Sequence, residues 1–131
     1  MNTKVLVVDD DPDVRTFVVT VLEENDYTPI VAHDGIEGME LIQKERPGLV
    51  ILDVLMPRGS GIRLYHMLKT DEALKAIPVI MLTGIALRSF LKSQKVLSEF
   101  KGETVPEPDV YLEKPVEPDD LVRAIRKKLG K

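Results

Sequence analysis

The chain has 131 residues and a mass of 14.7 kDa, with 44% hydrophobic residues, 31% charged residues and a formal net charge of −4. That is one domain of ordinary size, able to bury roughly two-thirds of its unfolded surface without a staple, and its balance is globular rather than disordered. There is no cysteine, which excludes a disulfide scaffold, a thiolate zinc site and a cysteine nucleophile, and an acidic pI near 5.2 argues against a nucleic-acid footprint. No apolar run approaches the roughly 18–20 residues of a membrane span. Met1-Asn2-Thr3-Lys4 leads straight into an apolar strand and then acids, unlike a secretory leader, so a cytoplasmic protein is expected.

The first apolar run, Val5 to Val8, stops at Asp9-Asp10-Asp11. Being apolar throughout, it reads as a strand buried on both faces of a parallel sheet. A helix follows, with Asp11 as N-cap and Pro12 at its first position. Val14, Phe17, Val18, Val21 and Leu22 fall on one helical face, and the helix ends near Asn25-Asp26. Thr28 to Ala32 is the second strand, and Pro29 marks it as an edge. Asp34-Gly35-Ile36-Glu37 matches a capping box that opens a second helix, to about Glu45, before Pro47-Gly48 breaks it. Leu49 to Leu52 is the third strand, ending at Asp53.

Met56 to Gly61 is a loop by composition, and a third helix then carries Ile62, Leu64, Tyr65, Met67 and Leu68. Pro78 to Leu82 is the fourth strand, ending at Thr83-Gly84. Leu87, Phe90 and Leu91 share one face of a fourth helix expected over about residues 86–99, whose apolar stripe then weakens at Gln94 and Ser98. Gly102, Pro106 and Pro108 forbid its continuation, so Lys101 to Pro108 is expected to be an exposed loop, with Phe100 folding back. Val110 to Leu112 is the fifth strand, ending at Glu113-Lys114-Pro115. The last helix starts near Pro118 and carries Leu121, Val122, Ile125 and Leu129.

Five successive β-α units specify a doubly wound parallel sheet with helices on both faces. In open sheets of this kind, sites form beyond the carboxyl ends of the strands. Those ends deliver Asp9 and Asp10, Asp53, Thr83 and Lys114. Three carboxylates in one cleft repel, and a hard divalent cation relieves them; oxygen ligands with retained waters suit Mg²⁺ rather than zinc. An aspartate beside Mg²⁺ and a lysine is a good phosphoryl acceptor. Asp53 is the best nucleophile, because it stands alone while Asp9 and Asp10 are adjacent and better placed as ligands. The hydroxyl of Thr83 can donate to a phosphoryl oxygen.

Val7-Val8-Asp9-Asp10, Leu52-Asp53 with Met56-Pro57 and Gly61, Leu82-Thr83-Gly84, and Tyr111 followed by Lys114-Pro115 together resemble the receiver domain of bacterial two-component response regulators. The resemblance covers nearly the whole chain, and these motifs in order at strand ends are specific where each alone is not. It implies the flavodoxin-like strand order 2-1-3-4-5 with five helices, an order that the family supplies and that the residues by themselves leave open. It implies a single receiver domain over residues 1–131, with an extended helix 4–strand 5 connection at about 99–109. Asp53 would accept phosphoryl from a phosphohistidine of a sensor histidine kinase or phosphotransfer protein. Asp10 would bind Mg²⁺ (or Mn²⁺) directly, Asp9 directly or through water, and the backbone carbonyl of Leu55 would supply a further oxygen. Lys114 would pair with the acceptor and then with the phosphate, and its bond to Pro115 would be cis. Thr83 would move toward the phosphate and Tyr111 would change rotamer, remodelling a helix 4–strand 5–helix 5 face for an unknown downstream protein or for a homodimer.

Some positions depart from the commonest pattern. Leu55 is apolar where many relatives are polar, Gly84 leaves the phosphate approach open, and Thr83 to Lys114 spans 31 positions, several more than usual. The switch would catalyse only its own phosphotransfer and autodephosphorylation. The alternative is a small Mg²⁺-dependent phosphate-processing enzyme. A haloacid-dehalogenase-type phosphatase, however, wants an aspartate two residues after the nucleophile, where Leu55 stands. A topoisomerase-primase-like site wants a glutamate on the first strand. A flavin carrier lacks its hydroxyl-rich phosphate loop here. His33 and His66 read as solvated structural residues, and Arg88, Lys92 and Lys95 as a solvated basic stripe.

Overall fold

The computed structural model describes residues 2–57, 60–92 and 107–130. Five strands, β1 (Lys4–Val8), β2 (Thr28–Ala32), β3 (Leu49–Leu52), β4 (Val79–Thr83) and β5 (Val110–Glu113), form one parallel sheet in the order β2-β1-β3-β4-β5. The helices are α1 (Pro12–Glu24), α2 (Gly35–Glu45), α3 (Ser60–Thr70), α4, described over 87–92, and α5 (Pro118–Leu129). This is the doubly wound parallel sheet that the β-α repetition predicts, in the flavodoxin-like strand order that the family resemblance implies. The expected extent of the fourth helix beyond residue 92, Lys95, Phe100 and most of the 99–109 connection lie outside the described residues.

Strand residues alternate between two cores, as their period of two requires. Leu6, Val8, Val50, Leu52, Val79 and Met81 face one side with Leu64, Tyr65 and Leu68 of α3 and Phe90 of α4. Val5, Val7, Leu49, Ile51, Ile80 and Leu82 face the other with Val18, Val21 and Leu22 of α1 and Leu121 and Ile125 of α5. Both faces of β1, β3 and β4 are therefore covered, which is why these runs show no polar alternation. β2, with Pro29, lies at the edge.

The helix starts follow local chemistry. Asp11 caps α1, its carboxylate accepting from the Asp13 and Val14 amides at 2.9 and 3.5 Å. Asp34 caps α2 by accepting from Glu37 N at 2.8 Å. The box closes one residue early, because Glu37 accepts from His33 N at 2.6 Å rather than from the cap residue. The ring of His33 also meets Glu37, at 2.7 Å, which holds the Glu37 carboxyl below its ordinary range. α2 stops at Arg46, which adopts a left-handed conformation (φ 48°), since the following Pro47 disfavours the right-handed helix there.

Two side chains depart from their expected places. Met67 and Leu87, read as members of apolar faces, are 50% and 38% exposed. Each lies at the margin of its stripe, and the neighbouring Leu64, Tyr65, Leu68 and Phe90 fill the core instead. Among the described residues no helix is long and apolar enough to cross a membrane.

Candidate functional site

The sheet register gathers the predicted residues at one rim. Val8 pairs with Leu52 and Leu52 with Met81, while Thr83 pairs with Glu113. The ladder runs one step further through Asp53 N to Val8 O at 3.0 Å and Lys114 N to Thr83 O at 2.8 Å. Asp53 and Lys114 are thereby held by backbone bonds just past β3 and β5, and the Asp9 amide is held just past β1 by Ala32 O at 3.3 Å. Asp9, Asp10 and Asp53 present carboxylate oxygens that all lie within 4.8 Å of one another. Asp9 and Asp53 are buried and Asp10 is exposed. The Lys114 ammonium donates to Asp9 Oδ2 at 2.9 Å and to Asp53 Oδ2 at 3.1 Å. The Lys114–Pro115 peptide is cis.

The electrostatics follow from two carboxylates sharing one ammonium. Burial pushes the Asp9 carboxyl above its usual range; the Asp11 amide and Lys114 pull it down, and the Asp53 charge adds to the rise. For Lys114, burial works downward, but the bond to Asp9 and the charges of Asp53 and Asp9 outweigh it and hold the amine above its ordinary value. Lys114 has two anions beside it, and the cluster holds three carboxylates against that one ammonium. The cluster is therefore short of positive charge. Its donors are all hard oxygens, two of them at the rim's buried floor, and they fit Mg²⁺ chemically.

Removing the ammonium is expected to be costly. Lys114→Ala would leave Asp9 and Asp53 buried without a cation and should destabilise the metal-free fold by about 2 kcal/mol. That is below the ~3–5 kcal/mol of a fully buried pair, because Lys114 is 24% exposed. Thermal melts in EDTA and in excess Mg²⁺ check this: the deficit should shrink with the metal. An unchanged melting temperature in EDTA would refute it.

The other side of the rim holds the remaining predicted residues. Thr83 is fully buried and its Oγ1 accepts from Ile85 N at 3.4 Å. The space a Cβ would take at Gly84 is open. Tyr111 donates its hydroxyl to Ile85 O at 2.5 Å, and its ring lies 5.5 Å from that of Phe90, which meets Tyr65 edge-on at 6.0 Å. Burial first, then the charges of Glu113 and Asp53, push the Tyr111 phenol up to about 12, so it stays a donor.

Sequence reasoning missed three contacts. The Leu55 amide donates to Asp53 Oδ1 at 2.8 Å, so each oxygen of Asp53 is held by a different donor. Arg15 donates to the backbone carbonyl of Asp9 at 2.7 Å. Glu113 accepts from the Leu87 amide at 3.1 Å. None has a sequence signature: the first is a turn bond from a backbone amide, the second falls at an i, i+6 spacing that no rule singles out, and the third joins residues 26 apart.

A family model for the response regulator receiver domain matches residues 5–126. The chain belongs to that family. Response regulator MprA of Mycobacterium ulcerans (strain Agy99) is 35% identical to this receiver over 126 residues, 96% of this chain and 50% of that protein. The chain spans about half the length of the curated relatives it matches first. A CheY-like receiver domain protein from Methanospirillum hungatei JF-1 is similar in structure, with a TM-score of 0.79 at 29% identity over 99% of this chain and 95% of that one. The receiver domain of a sensor histidine kinase from Pseudomonas aeruginosa PAO1 shares the fold, with a TM-score of 0.82 at 21% identity over all of both chains. That structure carries a magnesium ion coordinated in its active-site cleft. Receivers are signalling switches and not turnover enzymes, and the phosphate-processing alternative finds no support here: Leu55, not an acid, stands two residues after Asp53.

Proposed function

We propose that this receiver is a phosphorylation-controlled switch that takes a phosphoryl group onto Asp53, with Mg²⁺ held by Asp9, Asp10, Asp53 and the Leu55 backbone carbonyl. The observation that carries this reading is the three-carboxylate cluster, its oxygens within 4.8 Å of one another, in which Lys114 bridges Asp9 and Asp53. When bound, the divalent ion supplies positive charge to the oxygens of the incoming phosphoryl group. The chain's own residues do the rest. The Leu55 amide and the Lys114 ammonium fix the two oxygens of Asp53, so the nucleophile is oriented before its donor arrives. One of those oxygens forms a bond to phosphorus while the bond to the donor's leaving group breaks, and that group keeps the electron pair.

The Asp53 phosphate adds about −1.5 to −2 charges. Lys114 then turns from the carboxylates to the phosphoryl oxygens, and Thr83 donates its hydroxyl proton to another. Tyr111, bonded to Ile85 two residues past Thr83, follows that movement and alters the α4–β5–α5 face. A sensor histidine kinase or phosphotransfer protein is the donor class. The output is a downstream protein or a second copy of the chain on that face, without direct nucleic-acid contact. Water entering past the exposed Leu55 and Gly84 returns the switch by hydrolysis.

The test is phosphoryl uptake from acetyl phosphate, followed by intact-mass spectrometry with and without Mg²⁺. The metal should be required. It should also raise the melting temperature, since at ten times its Kd a ligand stabilises by roughly 1.4 kcal/mol. Asp10→Ala should lose both responses and should melt no lower than wild type without metal, because a repelling carboxylate is gone. Uptake that persists in EDTA, or a metal-induced shift that survives in Asp10→Ala, would count against the site.

A further inference from the structure

The period of two along β5 puts Tyr111 and Glu113 on the same side of the sheet, the side that packs against Tyr65 and Phe90. Both reach the segment joining β4 to α4. Tyr111 holds the carbonyl of Ile85 at 2.5 Å, and Glu113 Oε1 takes the amide of Leu87 at 3.1 Å. Leu87 is the first helical residue of α4, so its N–H has no partner within the helix and needs one from outside. A carboxylate suits that place, since helix N-termini favour anions. Glu113 is also covalently joined to Lys114, whose amide is fixed to Thr83 O at 2.8 Å and whose ammonium bridges Asp9 and Asp53. Two consecutive residues therefore grip opposite things: Lys114 grips the acid cluster, and Glu113 grips the start of α4.

From this arrangement we infer that Glu113 is a positioning residue that transmits the state of Asp53 to α4, as a tether acting beside Tyr111. The inference rests on the phosphoacceptor reading of Asp53, because that reading supplies the movement of Lys114. When the Lys114 side chain turns toward a phosphoryl group and Thr83, whose carbonyl holds the Lys114 amide, moves as well, the Glu113 backbone shifts with them, and the bond to Leu87 N pulls the first turn of α4. Tyr111 moves the loop at Ile85, and Glu113 moves the helix itself. The side chain touches neither the phosphoryl group nor the metal ligands, so it governs the response and not the uptake.

The experiment compares ¹⁵N-labelled wild type, Glu113→Ala and Glu113→Gln, each treated with acetyl phosphate and Mg²⁺. Intact mass gives the phosphorylated fraction, and amide spectra give the shifts of Leu87, Arg88 and Phe90. All three proteins should reach phosphorylated fractions within about twofold of each other. In Glu113→Ala the phosphorylation-dependent shifts at those amides should fall to less than half of wild type at equal phosphorylation. Glu113→Gln keeps an acceptor oxygen and should restore most of them. A second arm needs no phosphorylation: the Leu87 amide of Glu113→Ala should exchange with solvent about fivefold faster, the usual scale of a lost helix cap, with Glu113→Gln near wild type. Full shifts in Glu113→Ala, failure of Glu113→Gln to rescue, or unchanged exchange at Leu87 would each overturn the tether. Absence of phosphoryl uptake in wild type would instead overturn the phosphoacceptor reading on which the tether depends, while the exchange arm would still report on the contact.

Discussion

Asp53→Asn should take up no phosphoryl group from acetyl phosphate and Mg²⁺, while wild type takes up one. The amide is nearly the same shape, and its oxygen can still accept from the Leu55 amide, which lies 2.8 Å from Asp53 Oδ1. What it lacks is an anionic oxygen with a lone pair basic enough to attack phosphorus. It also removes one of the two anions that hold the Lys114 ammonium, so Lys114 should settle on Asp9. The loss of labelling should therefore come without loss of the fold. Intact-mass spectrometry on the two proteins, with circular dichroism as the control for folding, reads both quantities. Equal labelling of the variant would remove Asp53 from the role and shift attention to Asp9 or Asp10.

Gly61→Ala should destabilise the protein by about 3 kcal/mol, a melting temperature lower by roughly 10 °C, because it overpacks backbone that cannot give way. A Cβ at position 61 would stand 2.3 Å from the carbonyl oxygen of Asp53 and 2.7 Å from the Cα of Val54. Both atoms belong to the chain that carries the candidate nucleophile, and the Asp53 amide is tied to Val8 O. The strain should be relieved by moving Asp53 or α3, so phosphoryl uptake should slow as well. Gly84→Ala is the control, since nothing lies within 4 Å of the Cβ it would add, and it should melt as wild type does. A melting temperature for Gly61→Ala within about 2 °C of wild type, less than ~1 kcal/mol at this size, would show that the α3 start can yield without cost.

Most of the frame can be read in the residues themselves. The apolar runs ending in Asp9, Asp53, Thr83 and Lys114, separated by segments of helical period, dictate a parallel sheet with its functional groups at one rim. Local rules are strong there: Asp11 and Asp34 cap helices because a short carboxylate at that position meets the free amides, and Pro29 keeps β2 at the edge because it donates nothing to a ladder. The strand order came with the family resemblance, since the run of β-α units alone leaves the point of reversal open. Tertiary structure decided what depends on atoms far apart in the chain. Only the register of β3 against β1, and of β5 against β4, brings Lys114 within reach of both Asp9 and Asp53, 105 and 61 residues away. The same holds for Glu113 on Leu87 and for the meeting of Tyr65, Phe90 and Tyr111. Met67 and Leu87 show the converse: each carries an apolar side chain that the helical period assigns to the core, and packing left each at the surface, because Leu64, Tyr65, Leu68 and Phe90 already occupy the volume beneath. A sequence carries the period of its faces, but which residue at the margin of a face is buried depends on the space its neighbours leave, and that space exists only once the sheet and helices are assembled.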